Sequence, residues 1–419
     1  MKPVEIQTMG CRLNSYESEV IRNLANKAGL NDMLVINSCA VTSEAERQTR
    51  QAIRKARRAN PDRKIIVTGC AAQINAVSFS KMPEVDTVVG NIEKLDPEFW
   101  FGLAKDSPTA KIQVNDIMSV QETASHMISG FNGRSRAFVE IQQGCDHRCT
   151  FCVIPYGRGP SRSVPAGKIV AQIKLLVNAG FNEVVLTGVD LTDYGKNLPG
   201  RPLLGDLVAR ILKLVPDLKR LRLSSLDPME IDDRLFGLFG DERRLLPSVH
   251  LSIQAGDDMI LKRMKRRHSR NQVLEICNRL RNQRPEITLG ADLIAGFPTE
   301  TEKMFKNTLT LIHEAGLSHL HVFPYSTRSG TPAERMPQVP IIERKKRASL
   351  LRNAGLIQLR KLLNTGIGSK VTVLMEQNGM GHCERFLPVR MQNNFASGSL
   401  IRAKIKARSG NVWIAAKTA

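Results

Sequence analysis

The sequence predicts an α/β protein in three parts. These are an N-terminal doubly wound parallel α/β domain, an incomplete (βα)6 barrel and a small C-terminal antiparallel β-barrel. Short apolar strands alternate with amphipathic helices in two separate series, and residues 366–419 change to short β segments with turns. The length of 419 residues is enough for two to four domains with real hydrophobic cores.

Residues 1–103 form the predicted N-terminal domain. Its apolar strands occupy residues 4–10, 33–38, 64–69 and 85–90, and helices are predicted over 15–28 and 43–59. A cysteine directly follows each of the first three strands, at Cys11, Cys39 and Cys70. Ligands of an open parallel sheet bind beyond the carboxyl ends of its strands. The three thiols are therefore expected to converge on one bound group.

Residues 104–133 are polar and are predicted to connect this domain to the next. Residues 134–365 contain six strands separated by amphipathic helices, which favours an incomplete barrel over a flat sheet. Chemistry in βα barrels occurs at the carboxyl ends of the strands. The predicted ends present Gln143, Cys145, Asp190, Ser225, Asp227, Gln254, Asp292 and Tyr325.

Positive charge increases along the chain. Lys and Arg number 61 against 40 Asp and Glu, a net charge of +21. Residues 1–130 carry 16 basic and 15 acidic side chains (net +1), residues 131–330 carry 29 and 21 (net +8), and residues 331–419 carry 16 and 4 (net +12). Such a surface attracts polyanions, and small five-stranded barrels commonly bind nucleic acid. Nucleic acid is the expected partner, with a merely solubilising basic tail as the alternative.

Several classes of protein are disfavoured. No run of eighteen apolar residues is present, and the start MKPVEIQTMG lacks the apolar segment of a signal peptide, so a cytoplasmic protein with no membrane partner is expected. Eight cysteines in such a chain favour metal binding or catalysis over disulfides. A GxxxxGK[ST] phosphate loop is absent, so nothing supports ATP hydrolysis.

Cys145, Cys149 and Cys152 form a Cys-x3-Cys-x2-Cys pattern directly after a predicted barrel strand. Three thiolates can hold three irons of a 4Fe–4S cluster and leave the fourth iron open, where S-adenosylmethionine can chelate it. A structural zinc site is the alternative, and it needs a fourth ligand. The spacing of His147 matches no common zinc pattern, so it is interpreted as a loop residue.

Nearly the whole chain resembles the radical S-adenosylmethionine methylthiotransferases. The segment QQGCDHRCTFCVIPYGRGPSRS (142–163) is similar to the cluster loop of that family and its following basic stretch. GCRLNSYESE (10–19), NSCAVTSEAERQTRQAIR (37–54) and VTGCAAQ (67–73) resemble the MtaB-type branch, which modifies tRNA. The isopentenyladenosine branch typically has a Gln-Met-Asn-like first motif, and the ribosomal-protein branch has Lys-Asn followed by Asp-Ser-Glu. The 27 residues between Cys11 and Cys39 are fewer than is usual for the family.

The resemblance implies two 4Fe–4S clusters, S-adenosylmethionine and a TRAM-type C-terminal barrel. One cluster would be held by Cys145, Cys149 and Cys152, and an auxiliary one by Cys11, Cys39 and Cys70. Three buried core cysteines are the alternative to the auxiliary cluster. The resemblance further implies a 5′-deoxyadenosyl radical that initiates hydrogen removal from C2 of an adenine, which then receives a methylthio group. An electron donor protein of the flavodoxin or ferredoxin type and a sulfur donor complete the implied set. Cys277 and Cys383 are interpreted as structural.

Other candidate residues have equal structural alternatives. Gln254, Asp292 and Ser225 are candidate contacts of S-adenosylmethionine, or hydrogen-bonding groups of the barrel mouth. Arg47, Arg50 and Arg54 recur with Arg57 at helical spacing and form either an RNA-binding stripe or a solvated helix face. The C-terminal barrel offers six candidate phosphate contacts: Arg385, Arg390, Arg402, Lys404, Lys406 and Arg408. Phe386 is a candidate stacking or core aromatic residue, and Trp413 is expected in the core.

The resulting hypothesis is an enzyme that methylthiolates C2 of N6-threonylcarbamoyladenosine at position 37, in the anticodon loop of tRNA. Within the same family, isopentenyladenosine or a ribosomal-protein aspartate is the alternative substrate. Outside it, the alternative is a non-catalytic RNA-binding protein with structural zinc.

Overall fold

The N-terminal domain is built on a five-stranded parallel sheet of order β1-β2-β3-β4-β5. A computed structural model describes residues 3–105, 110–120, 127–128, 130–131 and 133–418. The elements of this domain are β1 (Glu5–Thr8), α1 (Arg12–Lys27), β2 (Met33–Ser38), α2 (Ser43–Ala59), β3 (Lys64–Gly69), α3 (Cys70–Ile74), α4 (Ala76–Ser80), β4 (Thr87–Val89), α5 (Pro97–Ala104) and β5 (Ile112–Gln113). Residues 112–113 thus belong to the sheet, although the sequence predicts them as part of the connection. The rest of the predicted connection lies partly outside the described residues.

Helices cover both faces of this sheet, which confirms the predicted doubly wound class. Strand β2 is buried along its whole length because its side chains pack on both sides. The side that contains Val35 and Ile66 packs with residues of α1 and α5. The opposite side packs with Ile53 of α2 and Phe79 of α4. Helix α2 has the predicted bounds and begins after Thr42, whose side chain accepts a hydrogen bond from the Ala45 amide.

The central domain is an open barrel of parallel strands. Its elements are β6 (Ala137–Glu140), β7 (Gln142–Gln143), α6 (Ile154–Arg158), β8 (Arg162–Ser163), α7 (Ala166–Asn178), β9 (Glu183–Thr187), α8 (Leu204–Leu214), β10 (Arg220–Leu223), β11 (Ser225–Leu226), α9 (Asp233–Asp241), β12 (Ser248–Gln254), α10 (Asp258–Arg263), α11 (Arg270–Gln283), β13 (Thr288–Ala295), α12 (Glu302–Glu314), β14 (Leu317–Pro324) and α13 (Ile341–Thr365). Strands pair in the orders β10-β9-β6 and β11-β12-β13-β14. Two predicted strands are divided, at Ile141 into β6 and β7 and at Ser224 into β10 and β11, so six strand positions result, as predicted. The short strand β7 pairs antiparallel with β8. Helix α1 packs against β6, at one edge of the open barrel.

The C-terminal domain is a closed five-stranded barrel of order β15-β16-β17-β19-β18. Its strands are β15 (Lys370–Met375), β16 (Met380–His382), β17 (Pro388–Met391), β18 (Leu400–Ser409) and β19 (Val412–Lys417). The prediction of a wholly antiparallel barrel is wrong in one pair, because β17 and β19 are parallel. An odd number of strands cannot alternate in direction all the way around a closed barrel. Trp413 is completely buried, as expected, and its indole donates to the Leu363 carbonyl at 2.7 Å.

The C-terminal barrel docks beneath the amino ends of the central strands. Thr288, the first residue of β13, donates to the Arg385 carbonyl at 2.6 Å. Asn182, just before β9, donates to the Gly398 carbonyl at 2.8 Å. The cysteine loop after β7 lies at the other, carboxyl end of the barrel. Among the described residues, no helix is both long enough and apolar enough to cross a membrane.

Candidate functional site

The first cysteine trio gathers at the carboxyl edge of the N-terminal sheet. Cys11 immediately precedes α1, Cys39 follows β2, and Cys70 begins α3. Gly10 has a φ of +84°, and a Cβ at that position would lie 2.6 Å from the Cys39 Sγ. Only glycine fits so close to the thiol with this backbone conformation. Cys39 and Cys70 are buried, whereas Cys11 is reachable by solvent.

A buried arginine from the central domain lies against this trio. The Arg158 Nε donates to the Cys70 Sγ at 3.0 Å, and its Nη2 donates to the Asn14 Oδ1 at 2.5 Å and to the Glu17 Oε2 at 3.0 Å. Arg158 is only 2% exposed. Its permanent positive charge favours an anionic group bound at this place.

The negative charge of Glu17 is paired with two buried cations, Arg158 and Lys94. The Lys94 Nζ lies 2.7 Å from the Glu17 Oε2 and 2.6 Å from the Asn91 Oδ1. Burial alone would raise the pKa of Glu17, but Arg158 and Lys94 lower it to about 2. Glu17 is therefore ionised, and the Arg158–Glu17–Lys94 network joins the N-terminal domain to the central one. It also accounts for two residues of the GCRLNSYESE motif, Asn14 and Glu17.

The second trio lies on the loop between β7 and α6. Gly144 has a φ of +71°, and a Cβ there would overlap the Pro160 carbonyl, so the loop requires glycine at this turn. The Cys149 Sγ lies 3.8 Å from Arg266, which also donates to the Asp227 Oδ2 at 2.7 Å. Burial raises the pKa of Cys152 to about 12. The Cys152 thiol therefore stays protonated until a metal displaces the proton.

The two trios adjoin each other. Helix α6, which follows the cysteine loop, packs on α3, which begins with Cys70. A Cβ at Gly157 would lie only 3.2 Å from the Cys70 Cβ. Charge on Cys70 also acts on the Cys152 thiol, raising its pKa further. The fold therefore brings two sets of thiols, from two domains, to one place.

The donor sets suit clusters better than single ions. Neither trio is among the groups of described residues whose ligand atoms all lie within 4.8 Å of one another. A tetrahedral zinc ion with Zn–S bonds of about 2.3 Å holds its sulfurs only ~3.8 Å apart. A cluster takes one thiolate at each of three irons and needs the wider spacing. The thiols of each trio are therefore spaced more widely than one zinc ion holds them, and their number matches a 4Fe–4S cluster with one open iron.

His147 is held by acidic side chains beside the second trio. Its Nε2 lies 3.0 Å from the Asp190 Oδ2 and 3.7 Å from the Glu230 Oε2. Hydrogen bonds to Asp190 and then Glu230 raise the pKa of His147 to about 10. His147 and Asp190 form a close set with the Cys145 Sγ, but this set includes only one sulfur of the trio. His147 thus has partners of its own as a loop residue.

The candidate contacts of S-adenosylmethionine occupy different levels of the barrel. Gln254 is the last residue of β12, with a φ of +73°, and Ser225 begins β11. Asp292 is the fifth of eight residues in β13, so the expectation that it lies at a strand end is wrong. Its Oδ1 lies 3.0 Å from the His250 Nε2 and 3.1 Å from the His321 Nδ1. Residue spacing did not reveal this because the length of β13 is set by its pairing with β14.

The two groups of basic residues differ in their pairing. On α2, four of the five arginines lie near a carboxylate: Arg47 near Glu44, Arg50 near Glu46, Arg54 near Glu84 and Arg57 near Asp86. In the C-terminal barrel, Arg390, Arg402, Lys404 and Lys406 are exposed and have no ion pair with any described residue. Arg408 bonds to Asn364 at 2.8 Å, and Arg385 is half-buried. Cys277 and Cys383 are completely buried among apolar side chains.

Comparison with known proteins first defines the class. Residues 139–312 match the Radical SAM superfamily model, and residues 3–90 match the Uncharacterized protein family UPF0004 model. The solved radical S-adenosylmethionine methyltransferase TsrM from Kitasatospora setae, with cobalamin and a [4Fe-4S] cluster bound, is similar in fold. It has a TM-score of 0.57 and 14% identity, over 80% of this chain and 77% of that one. The chain is a radical S-adenosylmethionine protein.

Curated relatives then define the family. The Threonylcarbamoyladenosine tRNA methylthiotransferase MtaB of Rickettsia prowazekii (strain Madrid E) is 56% identical, over 96% of this chain and 94% of the relative. The MtaB of Aquifex aeolicus (strain VF5) is 34% identical, over 96% of this chain and 100% of the relative. A tRNA-2-methylthio-N(6)-dimethylallyladenosine synthase from Novosphingobium aromaticivorans is 32% identical, over 90% of this chain and 87% of the relative. The chain belongs to the MtaB-type family of radical S-adenosylmethionine methylthiotransferases, as the sequence motifs predict.

Proposed function

We propose that the protein methylthiolates C2 of N6-threonylcarbamoyladenosine at position 37 of tRNA. Membership of the MtaB-type family supports this reaction and substrate. The observation that carries the proposal is the meeting of the two thiol trios at α3 and α6. Radical activation and sulfur transfer must act on the same carbon, so their two centres have to open on one cavity.

The six cysteines are assigned to two 4Fe–4S clusters. When bound, these clusters supply the electron that cleaves S-adenosylmethionine at Cys145, Cys149 and Cys152, and an open iron for sulfur at Cys11, Cys39 and Cys70. Arg266 positions the loop beside Cys149, and Arg158 holds Cys70 and the two domains together. Gln254 and Ser225 are assigned to S-adenosylmethionine from their places near strand ends.

The basic outer face of the C-terminal barrel is assigned to the tRNA backbone. Arg390, Arg402, Lys404 and Lys406 support this assignment because their charges are exposed and unpaired among the described residues. The carboxylate partners of Arg47, Arg50 and Arg54 favour the solvated-face alternative for α2. An electron donor protein of the flavodoxin or ferredoxin type, a sulfur donor and a cytoplasmic location complete the proposal.

The test is mass spectrometry of tRNA nucleosides from cells with and without the gene. Loss of the 2-methylthio derivative of threonylcarbamoyladenosine, with accumulation of its precursor, is expected. Loss of the isopentenyl derivative instead would contradict the substrate and keep the reaction. If neither nucleoside changes, a ribosomal-protein aspartate becomes the favoured substrate.

A second measurement tests the cofactors. Protein purified without oxygen is expected to be brown and to contain iron, with about eight irons per chain when both clusters are complete. A colourless protein that contains zinc would instead support a non-catalytic RNA-binding protein. The variant Cys149→Ala is expected to lose 5′-deoxyadenosine production and to bind tRNA like the wild type.

A further inference from the structure

One arginine, next to Cys11 in the chain, has no carboxylate within ion-pair distance among the described residues. Arg12 begins α1, directly after Cys11, and it is half-buried. It forms no hydrogen bond or ion pair with any described residue. Its guanidinium lies 5.9 Å from the centre of the Phe386 ring, which comes from the C-terminal barrel. A half-buried cation in this state is available to an anion that enters from outside.

A second arginine in the same place has unused donors. Arg222 of β10 is 3% exposed, and its Nε donates to the Glu183 Oε1 at 3.0 Å. Its Nη1 and Nη2 are buried without any hydrogen-bond partner. Buried donors nearly always have a partner, so these two donors are free to bind a ligand or a water molecule. Its guanidinium lies 4.8 Å from the centre of the Phe386 ring, so Arg12 and Arg222 share one aromatic neighbour.

Internal acids do not neutralise this cluster. Glu183 is shared by three arginines: Arg136 at 3.5 Å, Arg220 at 3.4 Å and Arg222 at 3.0 Å. Arg136 and Arg220 have further partners in Glu376 and Glu384 of the C-terminal barrel. Arg12 adds a fourth guanidinium, within electrostatic range of Arg222 and Arg136. Four guanidiniums of this group therefore face three carboxylates that are ion-paired with them, Glu183, Glu376 and Glu384.

Polar groups line the inner face of the barrel beside these arginines. Side chains alternate between the two faces of a strand, and Val249, Leu251 and Ile253 of β12 are buried in the outer core. His250 is therefore on the inner face, and the Asp292 Oδ1 lies within hydrogen-bond distance of both the His250 Nε2 and the His321 Nδ1. Asp292 lies within electrostatic range of Arg12. The lumen thus has a cationic end at Arg12 and Arg222 and a polar wall of mixed donors and acceptors.

We propose that Arg12 and Arg222 bind the carboxylate of the threonylcarbamoyl group and so select this modified adenosine. The inference rests on the proposed function, because that substrate places a free carboxylate at the end of its N6 substituent. A guanidinium pairs well with a carboxylate, and two of them recognise it by charge and direction. The base to which the bound carboxylate belongs then lies between this cationic end and the thiols at the carboxyl end of the barrel. Adenosine with an uncharged N6 substituent forms no ion pair with these two guanidiniums and so gains no affinity from them.

A backbone phosphate fits this place less well than a carboxylate. Arg222 is almost fully buried, and the ring of Phe386 closes the cluster from below. Enzymes that modify a base extrude it into a pocket, so its substituent is the part of the RNA that can reach such depth. Exposed lysines and arginines on the barrel surface suit the backbone better.

The experiment measures binding of anticodon stem-loops to full-length protein with reconstituted clusters. Three RNAs differ only at position 37, which is threonylcarbamoyladenosine, its uncharged methyl ester, or unmodified adenosine. We expect the wild type to bind the acid at least about tenfold more tightly than the ester, because a hydrogen bond to a charged group contributes at least that much to affinity. Arg12→Gln and Arg222→Gln are expected to lose this preference. Arg234→Gln, which removes an exposed arginine paired with Asp206 outside the lumen, should keep it.

The outcomes separate this inference from the proposed function. Equal binding of acid and ester by the wild type overturns the inference without the need for any variant to fold. An undiminished preference of Arg12→Gln for the acid over the ester overturns it as well. So does a loss of affinity in this variant that is equal for the acid RNA and the unmodified RNA, because that result indicates a phosphate contact. If the acid RNA is methylthiolated while acid and ester bind equally, the proposed function stands and the inference falls. If the acid RNA is not methylthiolated, both fall.

Discussion

Replacement of Arg158 by methionine is the sharpest test of how the two domains are joined. The substitution removes the donor to Cys70, Asn14 and Glu17 while it keeps much of the side-chain volume. Glu17, which is completely buried, then has only Lys94 to balance its charge. Removal of one partner from a buried ion pair costs about 3–5 kcal/mol. We therefore expect the apoprotein to lose about that much unfolding free energy.

The assay is urea denaturation of the apoprotein, followed by tryptophan fluorescence. Trp100 suits this purpose because its indole donates to the Lys94 carbonyl at 3.0 Å, at the edge of the network. The double variant with Glu17→Gln should lose less than the sum of the two single losses, by more than about 1 kcal/mol. Arg234→Met is the matched control, because its ion pair with Asp206 is exposed and should contribute under about 1 kcal/mol.

Iron content gives a second, independent measurement on the same variant. After reconstitution without oxygen, Arg158→Met is expected to hold about half the iron of the wild type, because only the first trio loses its neighbouring cation. A loss of unfolding free energy below about 1 kcal/mol, with additive single variants, would refute the buried network as the link between the domains.

Three further predictions concern other parts of the molecule. Gly10→Ala should lose the iron of the first trio, because its Cβ would lie 2.6 Å from the Cys39 Sγ. The control Gly29→Ala, also at positive φ but with open space around its Cβ, should keep the iron. Equal iron content in the two variants would contradict the close approach of Gly10 to Cys39. Burial and then Glu17 raise the pKa of Glu140 from 4.5 to about 8, so the folded state binds a proton that the unfolded state releases between these pH values. Stability should therefore fall as pH rises through this window, and Glu140→Gln should flatten that fall in apoprotein melting curves; an unchanged slope would contradict the shift. Replacement of Arg402, Lys404 and Lys406 by Gln should reduce the slope of log affinity for tRNA against log salt by about 2, whereas Arg234→Gln with Arg279→Gln should not change it.

The sequence by itself determined the domain order, the fold class and the two cysteine trios. Strand and helix periodicity are local, and a cysteine directly after a parallel strand must lie at the carboxyl edge of the sheet. The bounds of α2 and the burial of Trp413 followed from the same local patterns. The family followed from its motifs, since a cluster loop is a short continuous segment.

Only the tertiary structure decided which distant side chains meet. Arg158 lies 88 residues from Cys70 in the chain, and Phe386, near the other end of the chain, lies beside Arg12. No spacing rule connects such positions, because their contact depends on how three domains pack. The pairing of the α2 arginines with Glu84 and Asp86, and the place of Asp292 within its strand, depend on packing in the same way. Whether a charged residue is neutralised internally or left free for a ligand is therefore a property of the folded assembly, because the distance between charges sets their energy.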